Sequence, residues 1–409
     1  MIGALLMVVI AALLLWWAAR GSERDLVLAA LAVRLVMVGL AWLFFVPRDG
    51  TWVMSASDTA DDLKYFEGGL TALRHGTLWI DPALLGAGRN PGFVYVVGAL
   101  FLLFGKIWFL PNAVSFVSGL ALPVAVVRLA EAVGLDRRRA LAAGWIIVFL
   151  PTIAFFSVTG YKDQLTILLL TLLLTSGAHA VGGRLTVARL GAVLVLTALM
   201  AVFRVGLLPL IAGTFCLLAL GGRGWKASAV ALSLLAASIW PFTLWLESTE
   251  QLDRFTVIQI TEGSVAGMAS QVLSGGIATW PLRATLFLIL PYPSLTGLDD
   301  AWQLYHWLNL GWYFLLCMGA VGVAALWRSW RETTDRMLLL PIVWTAAVVL
   351  SLMVRGMPNT RYILTVVPAV ALMGSYAVVD GRLMRTALML LGAGCATAVP
   401  AYFVLRGLF

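Results

Sequence analysis

Apolar residues along this chain collect in long runs separated by short polar turns. The runs fall near 2–19, 26–46, 109–131, 140–157, 163–182, 190–203, 206–221, 227–245, 306–327, 337–354, 361–379 and 386–405. An α-helix needs roughly 20 apolar residues to cross a bilayer core, and these runs approach that length. Helices are required because backbone polar groups inside lipid must be paired within the segment. The pattern predicts an all-α polytopic membrane protein with about 12 transmembrane helices. Two further apolar runs, 92–105 and 281–291, are too short to span and read as interfacial or re-entrant helices on the outer face. The two largest hydrophilic stretches, 47–91 and 246–280, then lie outside as well. The chain reads as one transmembrane domain, 1–409, with a first outer loop over 47–108, a second over 246–305, and both termini outside.

Composition sharpens this picture. Hydrophobic residues make up 61% and charged residues 12%, where soluble domains sit nearer half and a quarter. Mean hydropathy is +0.96. A water-soluble core cannot hide that surface, and disordered, collagenous and disulfide scaffolds are excluded by the same figures. Cys216, Cys317 and Cys395 lie in apolar runs without CxxC or metal-ligand spacing. His75, His179 and His306 are scattered. The first apolar run lacks a basic start and leads into Arg20, so no cleavable signal peptide is expected.

Net charge is +8, and its placement matters more than its size. Arg20, Arg24, Arg137, Arg138, Arg139, Arg184, Arg189, Arg223, Lys226, Arg328, Arg331, Arg336, Arg382 and Arg385 occupy six short turns. These mark the cytoplasmic side, so nucleic acid is not the partner. Acidic residues favour the other side, among them Asp58, Asp61, Asp62, Asp81, Asp163, Glu247, Asp299 and Asp300. Four cations break the positive-inside bias at outer helix ends: Lys162, Arg204, Arg355 and Arg361.

The candidate chemistry lies in these outer turns. SASDTADDLKYFEGG (55–69) places Asp58, Asp61 and Asp62 just after a span. Ser57 or Asp58 is suited to cap a helix running through Tyr65 to Leu73, with Asp61 and Tyr65 on one face. A carboxylate held there can act as general base toward a hydroxyl; the bland reading is a solvated, capped amphipathic helix. FFSVTGYKDQL (155–165) sets Lys162 and Asp163 between two spans. Ionisable groups at a membrane boundary are functional candidates by default, against which stand a snorkelling lysine and an N-capping aspartate. Arg204 sits between two short spans, able to meet a headgroup or one of the loop aspartates. VRGMPNTRYILTVVP (354–368) carries Arg355, Arg361 and Tyr362. Arginine forks match phosphate oxygens; interfacial anchoring is the plain alternative. Taken together, these cations and carboxylates suit a substrate with an anionic head and a lipid tail. No Walker loop, dinucleotide fingerprint, HExxH or GxSxG accompanies them.

The chain resembles the GT-C superfamily of polyprenyl-phosphate-dependent glycosyltransferases, the group with the protein O-mannosyltransferases and the lipid A aminoarabinose transferases. The residues that carry the resemblance are the acidic loop at Asp58, Asp61 and Asp62, then Tyr65, Leu73 and Gly76. NPGFVYVVGALFLLFG (90–105), FLPTIAFFS (149–157), LPYP (290–293) and RYILTVVPAVAL (361–372) continue it. It departs from the family in an extra span before the acidic loop, dispersed aspartates, the lysine in Tyr161-Lys162-Asp163, and no large soluble C-terminal domain. The resemblance implies inverting transfer of a sugar from a polyprenyl phosphate to a glycan, lipid or protein acceptor, on the outer face of a bacterial-type cytoplasmic membrane. Asp58 is then the general base, with Asp61 or Asp62 as alternates. Lys162, Arg204, Arg355 and Arg361 hold the donor phosphate, with Tyr65, Asp163 and Tyr362 as further candidates. Some relatives place a divalent metal, Mg or Mn, at the acidic loop and others do not. A polysaccharide polymerase or ligase using a lipid-linked oligosaccharide is the nearest alternative. A lipid or solute transporter is another; repeat symmetry, and broken helices with charges near mid-membrane, would be expected of it, and neither is read in the sequence.

Overall fold

The computed structural model describes residues 2–49, 61–79, 91–182, 186–220, 308–333, 335–355 and 360–407. Side chains within 2–6, 42–49, 353–362 and 395–407, and that of Leu220, are outside the description, as are the expected span 227–245, the run 281–291 and the second outer loop. Among the described residues all regular structure is helical. In chain order the helices are α1 (Ile2–Ala18), α2 (Glu23–Asp49), α3 (Asp61–His75), α4 (Gly92–Phe104), α5 (Leu110–Ala132), α6 (Arg137–Phe149) and α7 (Pro151–Phe156). There follow α8 (Asp163–Val181), α9 (Val187–Arg204), α10 (Leu208–Leu220), α11 (Leu310–Thr333), α12 (Leu340–Arg355), α13 (Val367–Val379) and α14 (Gly381–Gly407). Four described stretches are long and apolar enough to cross a membrane: α5, α8, α11 and the run 187–219. α4, at 13 residues, falls short, as its sequence suggested.

Several expected spans are broken, and proline accounts for three of the breaks. The run 140–157 is two helices. Leu150 is extended (φ −69°, ψ 112°) because the residue before a proline avoids the α region, and Pro151 then opens α7. Pro341 and Pro368 lack the N–H that would bond residues 337 and 364, so α12 and α13 are each entered through a 3₁₀ turn, Arg336–Leu339 and Thr360–Thr365. A sharp bend at Arg204 (φ −162°, ψ 71°) and a 3₁₀ turn over Val205–Leu207 separate α9 from α10.

The core is built by α5, α6, α8, α11 and α13. Small residues set the spacing. A methyl group on Gly322 of α11 would meet the Met373 carbonyl oxygen of α13 at 1.9 Å, and one on Gly319 would meet Val370 at 2.7 Å. Such close backbone approach is how helices pack where lipid leaves no hydrophobic driving force between them. Apolar side chains at the periphery stay exposed, as on α9 (Val187, Leu194, Val195) and α1 (Leu13, Leu14, Trp17), the surface a bilayer would cover.

The polar residues sort to the two ends of the bundle. At one end Glu23, fully buried, accepts from Arg128 (2.7 Å) and Arg137 (3.0 Å), locking α2 to α5 and α6. Asp136 caps α6 by accepting from the Arg139 backbone N–H (2.9 Å). The Arg139 guanidinium lies 4.4 Å from the Tyr376 ring centroid at the end of α13. Asp335, past α11, packs near Gly134. The arginine-rich turns at 20–24, 137–139 and 328–336 therefore gather on one side, as the charge pattern predicted. The opposite end holds the acidic segment of α3 and the turns at 157–163 and 204–208.

Candidate functional site

The site is assembled by α3 and the turns at the non-arginine end. α3 has a polar and an apolar side, and the apolar side packs on α4. A methyl on Gly69 would meet Val97 at 2.6 Å, and one on Gly98 would meet Ala72 at 2.9 Å, so glycines let the two helices touch. Tyr65 meets Phe93 edge-on (5.1 Å), while Phe66 stacks on Trp108 (3.9 Å). These contacts fix the first turn of α3, where the acidic Asp61 and Asp62 favour the helix dipole. Asp61 is half-buried. Asp62 is buried, and its Oδ1 accepts from the Leu63 N–H (3.0 Å). Asp58 lies outside the described residues.

The segment from Ser157 to Lys162 is held by α5. Asn112 donates through Nδ2 to the Val158 carbonyl (2.9 Å), and Ser115 Oγ donates to the Tyr161 carbonyl (2.8 Å). Both side chains are buried, so these hydrogen bonds satisfy carbonyls that no helix serves. Gly160 faces Asp62: a methyl there would stand 3.5 Å from Asp62 Cβ and 3.7 Å from Asn112 Oδ1. The acidic turn of α3 and the Gly160–Lys162 turn are thus in contact.

Lys162 and Asp163 then diverge. The Lys162 ammonium lies 5.7 Å from the Tyr65 ring centroid, within cation–π reach. Asp163 is 1% exposed and accepts from Arg204 Nη1 (3.2 Å), whose side chain is 13% exposed. Arg204 therefore pairs with the aspartate that opens α8, across 41 residues of sequence. Gly92, at the start of α4, abuts Phe203, which brings the α3–α4 pair beside Arg204. The turn Thr360–Thr365 packs on α8 and is pinned where Trp344 Nε1 donates to the Thr365 carbonyl (2.9 Å). The turn that carries Arg361 and Tyr362 therefore lies against the helix that begins at Asp163; the side chains of these two, and that of Arg355, are outside the description.

Of the predicted site residues, the structure brings Asp62, Tyr65 and Lys162 together and sets Asp163 and Arg204 next to them. Asn112, Ser115 and Gln164 were missed. Gln164 is fully buried beside Asp163, with neither amide atom hydrogen-bonded among the described residues. Polar residues at Asn112 and Ser115, three apart in the apolar run 109–131, were the available signal. Among the described residues no group of three His, Cys, Asp or Glu side chains is placed to hold a metal.

The fold is shared with an archaeal oligosaccharyltransferase. The apo crystal structure of the Archaeoglobus fulgidus enzyme aligns with a TM-score of 0.51 at 14% identity, over 90% of this chain and 55% of that one. The same enzyme, AglB, in complex with an inhibitory peptide and a dolichol-phosphate, aligns at TM-score 0.48 and 14% identity, over 91% and 55%. This chain thus spans about half the length of the protein it resembles. Its sequence matches no known family and no curated protein. The likeness is one of fold alone.

Proposed function

We propose that the protein is a membrane glycosyltransferase of GT-C type, moving a sugar from a polyprenyl-phosphate donor to an acceptor hydroxyl on the outer face of a cytoplasmic membrane. The observation that carries this reading is the meeting of carboxylates (Asp61, Asp62), cations (Lys162, Arg204) and Tyr65 at one end of a GT-C-like bundle. A lipid-anchored anion arriving at that end meets fixed positive charge, and an acceptor hydroxyl meets a carboxylate. The bond that breaks joins the anomeric carbon to the phosphate oxygen, and its electron pair leaves with the phosphate. The bond that forms joins the same carbon to the acceptor oxygen, whose proton passes to the carboxylate. Asp58 is assigned as that base, with Asp61 and Asp62 as alternates. Lys162, Arg204, Arg355 and Arg361 stabilise the departing phosphate, which needs charge more than a proton. Tyr65 positions Lys162. Tyr362 and Asp163 complete the surround, Asp163 by orienting Arg204.

The likeness to a named oligosaccharyltransferase favours one variant of this reading, in which a lipid-linked oligosaccharide is the donor. The test is sugar transfer from radiolabelled polyprenyl-phosphate and polyprenyl-diphosphate donors in membranes carrying wild type, Asp58→Asn, Asp61→Asn or Asp62→Asn. Loss of transfer of about 100-fold or more in Asp58→Asn, with normal folded protein, is expected for a general base. Wild-type rates in Asp58→Asn and a large loss in Asp62→Asn or Asp61→Asn reassign the base; wild-type rates in all three remove it.

A further inference from the structure

Arg34 sits in the middle of α2, the twelfth of its 27 residues, and is fully buried. It falls within the apolar run 26–46. The structure gives it an interhelical contact, and among the described residues no acidic side chain pairs with the charge. Nη1 donates to the Ala30 carbonyl one turn back (3.3 Å), while Nε and Nη2 have no hydrogen-bond partner among the described residues. That vacant edge is the one with two parallel donors, the edge that matches a carboxylate or phosphate. Gly119 of α5 makes room for it: a methyl there would come 2.9 Å from Arg34 Nε and 2.2 Å from Ser157 Oγ. Arg128, the other arginine within a span, is different, since it lies at the arginine-rich end and pairs with Glu23.

Arg34 and Ser157, the first residue of the segment that carries Gly160 and Lys162, thus both flank Gly119. Gly119 follows Asn112 by seven residues on α5, or about 10 Å. Asn112 reaches the neighbourhood of Asp62 and Gly160, so Arg34 lies roughly 10 Å beneath the site. A buried cation with no anion among the described residues is costly to hold, and an ionisable group inside a span is a functional candidate.

We propose that Arg34 is a fixed positive charge beneath the site that strengthens the hold on an anionic lipid headgroup through space, without touching it. The inference rests on the donor reading above. Its contribution scales with the charge of the headgroup and resists salt, because the path between them runs through the bundle. A unit charge about 10 Å away at an effective dielectric near 20 changes affinity for a singly charged anion on the order of tenfold.

Wild type, Arg34→Met and Arg34→Gln are titrated in detergent with polyprenyl monophosphate, polyprenyl diphosphate and uncharged polyprenol, following tryptophan fluorescence, at low and high salt. Both neutral variants are expected to bind the monophosphate about tenfold more weakly, the diphosphate more weakly still, and polyprenol as wild type does. The ratios persist at high salt. The melting temperature of Arg34→Met stays level or rises. Equal losses for all three ligands, as a merely structural arginine would give, overturn the proposal, and so does an unchanged affinity for both phosphates. Arg34→Gln keeps a polar side chain and gives the same ratios if Arg34→Met does not fold. A wild-type protein that fails to prefer either phosphate over polyprenol refutes the donor reading itself.

Discussion

Arg204→Ala probes the ion pair that joins two helices at the site. Asp163 is 1% exposed and its Oδ1 stands 3.2 Å from Arg204 Nη1. At an effective dielectric of about 20, unit charges at that distance attract by roughly 5 kcal/mol. Desolvation offsets part of this, yet removing one partner of a buried pair still costs about 3–5 kcal/mol, because the remaining charge stays out of water. Arg204 retains 13% exposure, which places the expected loss near the lower figure, about 3 kcal/mol. Asp163 also opens α8, where a negative charge gains about 0.5 kcal/mol from the helix dipole, so Asp163→Asn loses slightly more than the pair alone. The assay is a double-mutant cycle of Arg204→Ala and Asp163→Asn, read by denaturant unfolding in detergent. A coupling energy of about 2 kcal/mol or more is expected. Additive losses, or an Arg204→Ala cost below about 1 kcal/mol, would refute the reasoning, since the pair would then behave as an exposed one.

Two other predictions follow from the packing. Gly322→Val forces side-chain atoms into the Met373 carbonyl, which even a single methyl would approach to 1.9 Å; a loss of at least about 3 kcal/mol, or failure to accumulate folded protein, is expected in thermal melts. Asn112→Ala removes a buried 2.9 Å hydrogen bond to Val158 at a cost of about 1–2 kcal/mol, and faster amide exchange should be confined to the 157–163 turn.

What could be read in the sequence was whatever charge and length decide locally. Arginine-rich turns and acidic turns partition to opposite sides of a membrane for reasons that act on each turn separately, so the grouping of Arg137–Arg139 with residues 20–24 was legible. So was the shortness of 92–105. The break at Leu150 was signalled by Pro151, but the apolar run continued through it and masked the signal. Arg204 had no acidic neighbour in sequence; its partner is supplied by the packing of α9 on α8, which periodicity does not specify. The same holds for Asn112 and Ser115, whose polar groups matter only because the 157–162 segment passes them. Arg34 stands in the apolar run 26–46, but its burial against Gly119 and Ser157 depends on two other helices converging there.

The central claim, that a phosphate carried on a prenyl tail is held where α3 meets the Gly160–Lys162 turn, is tested most directly by photocrosslinking. A polyprenyl phosphate with a diazirine on the prenyl unit next to the phosphate is irradiated with the protein, and the adducts are mapped by mass spectrometry. Adducts are expected in 157–166 and 203–208, lost on competition with unlabelled polyprenyl phosphate. Adducts that cluster instead around Glu23, Arg128 and Arg137 at the other end, or that spread evenly over the exposed faces of α1 and α9, would contradict it.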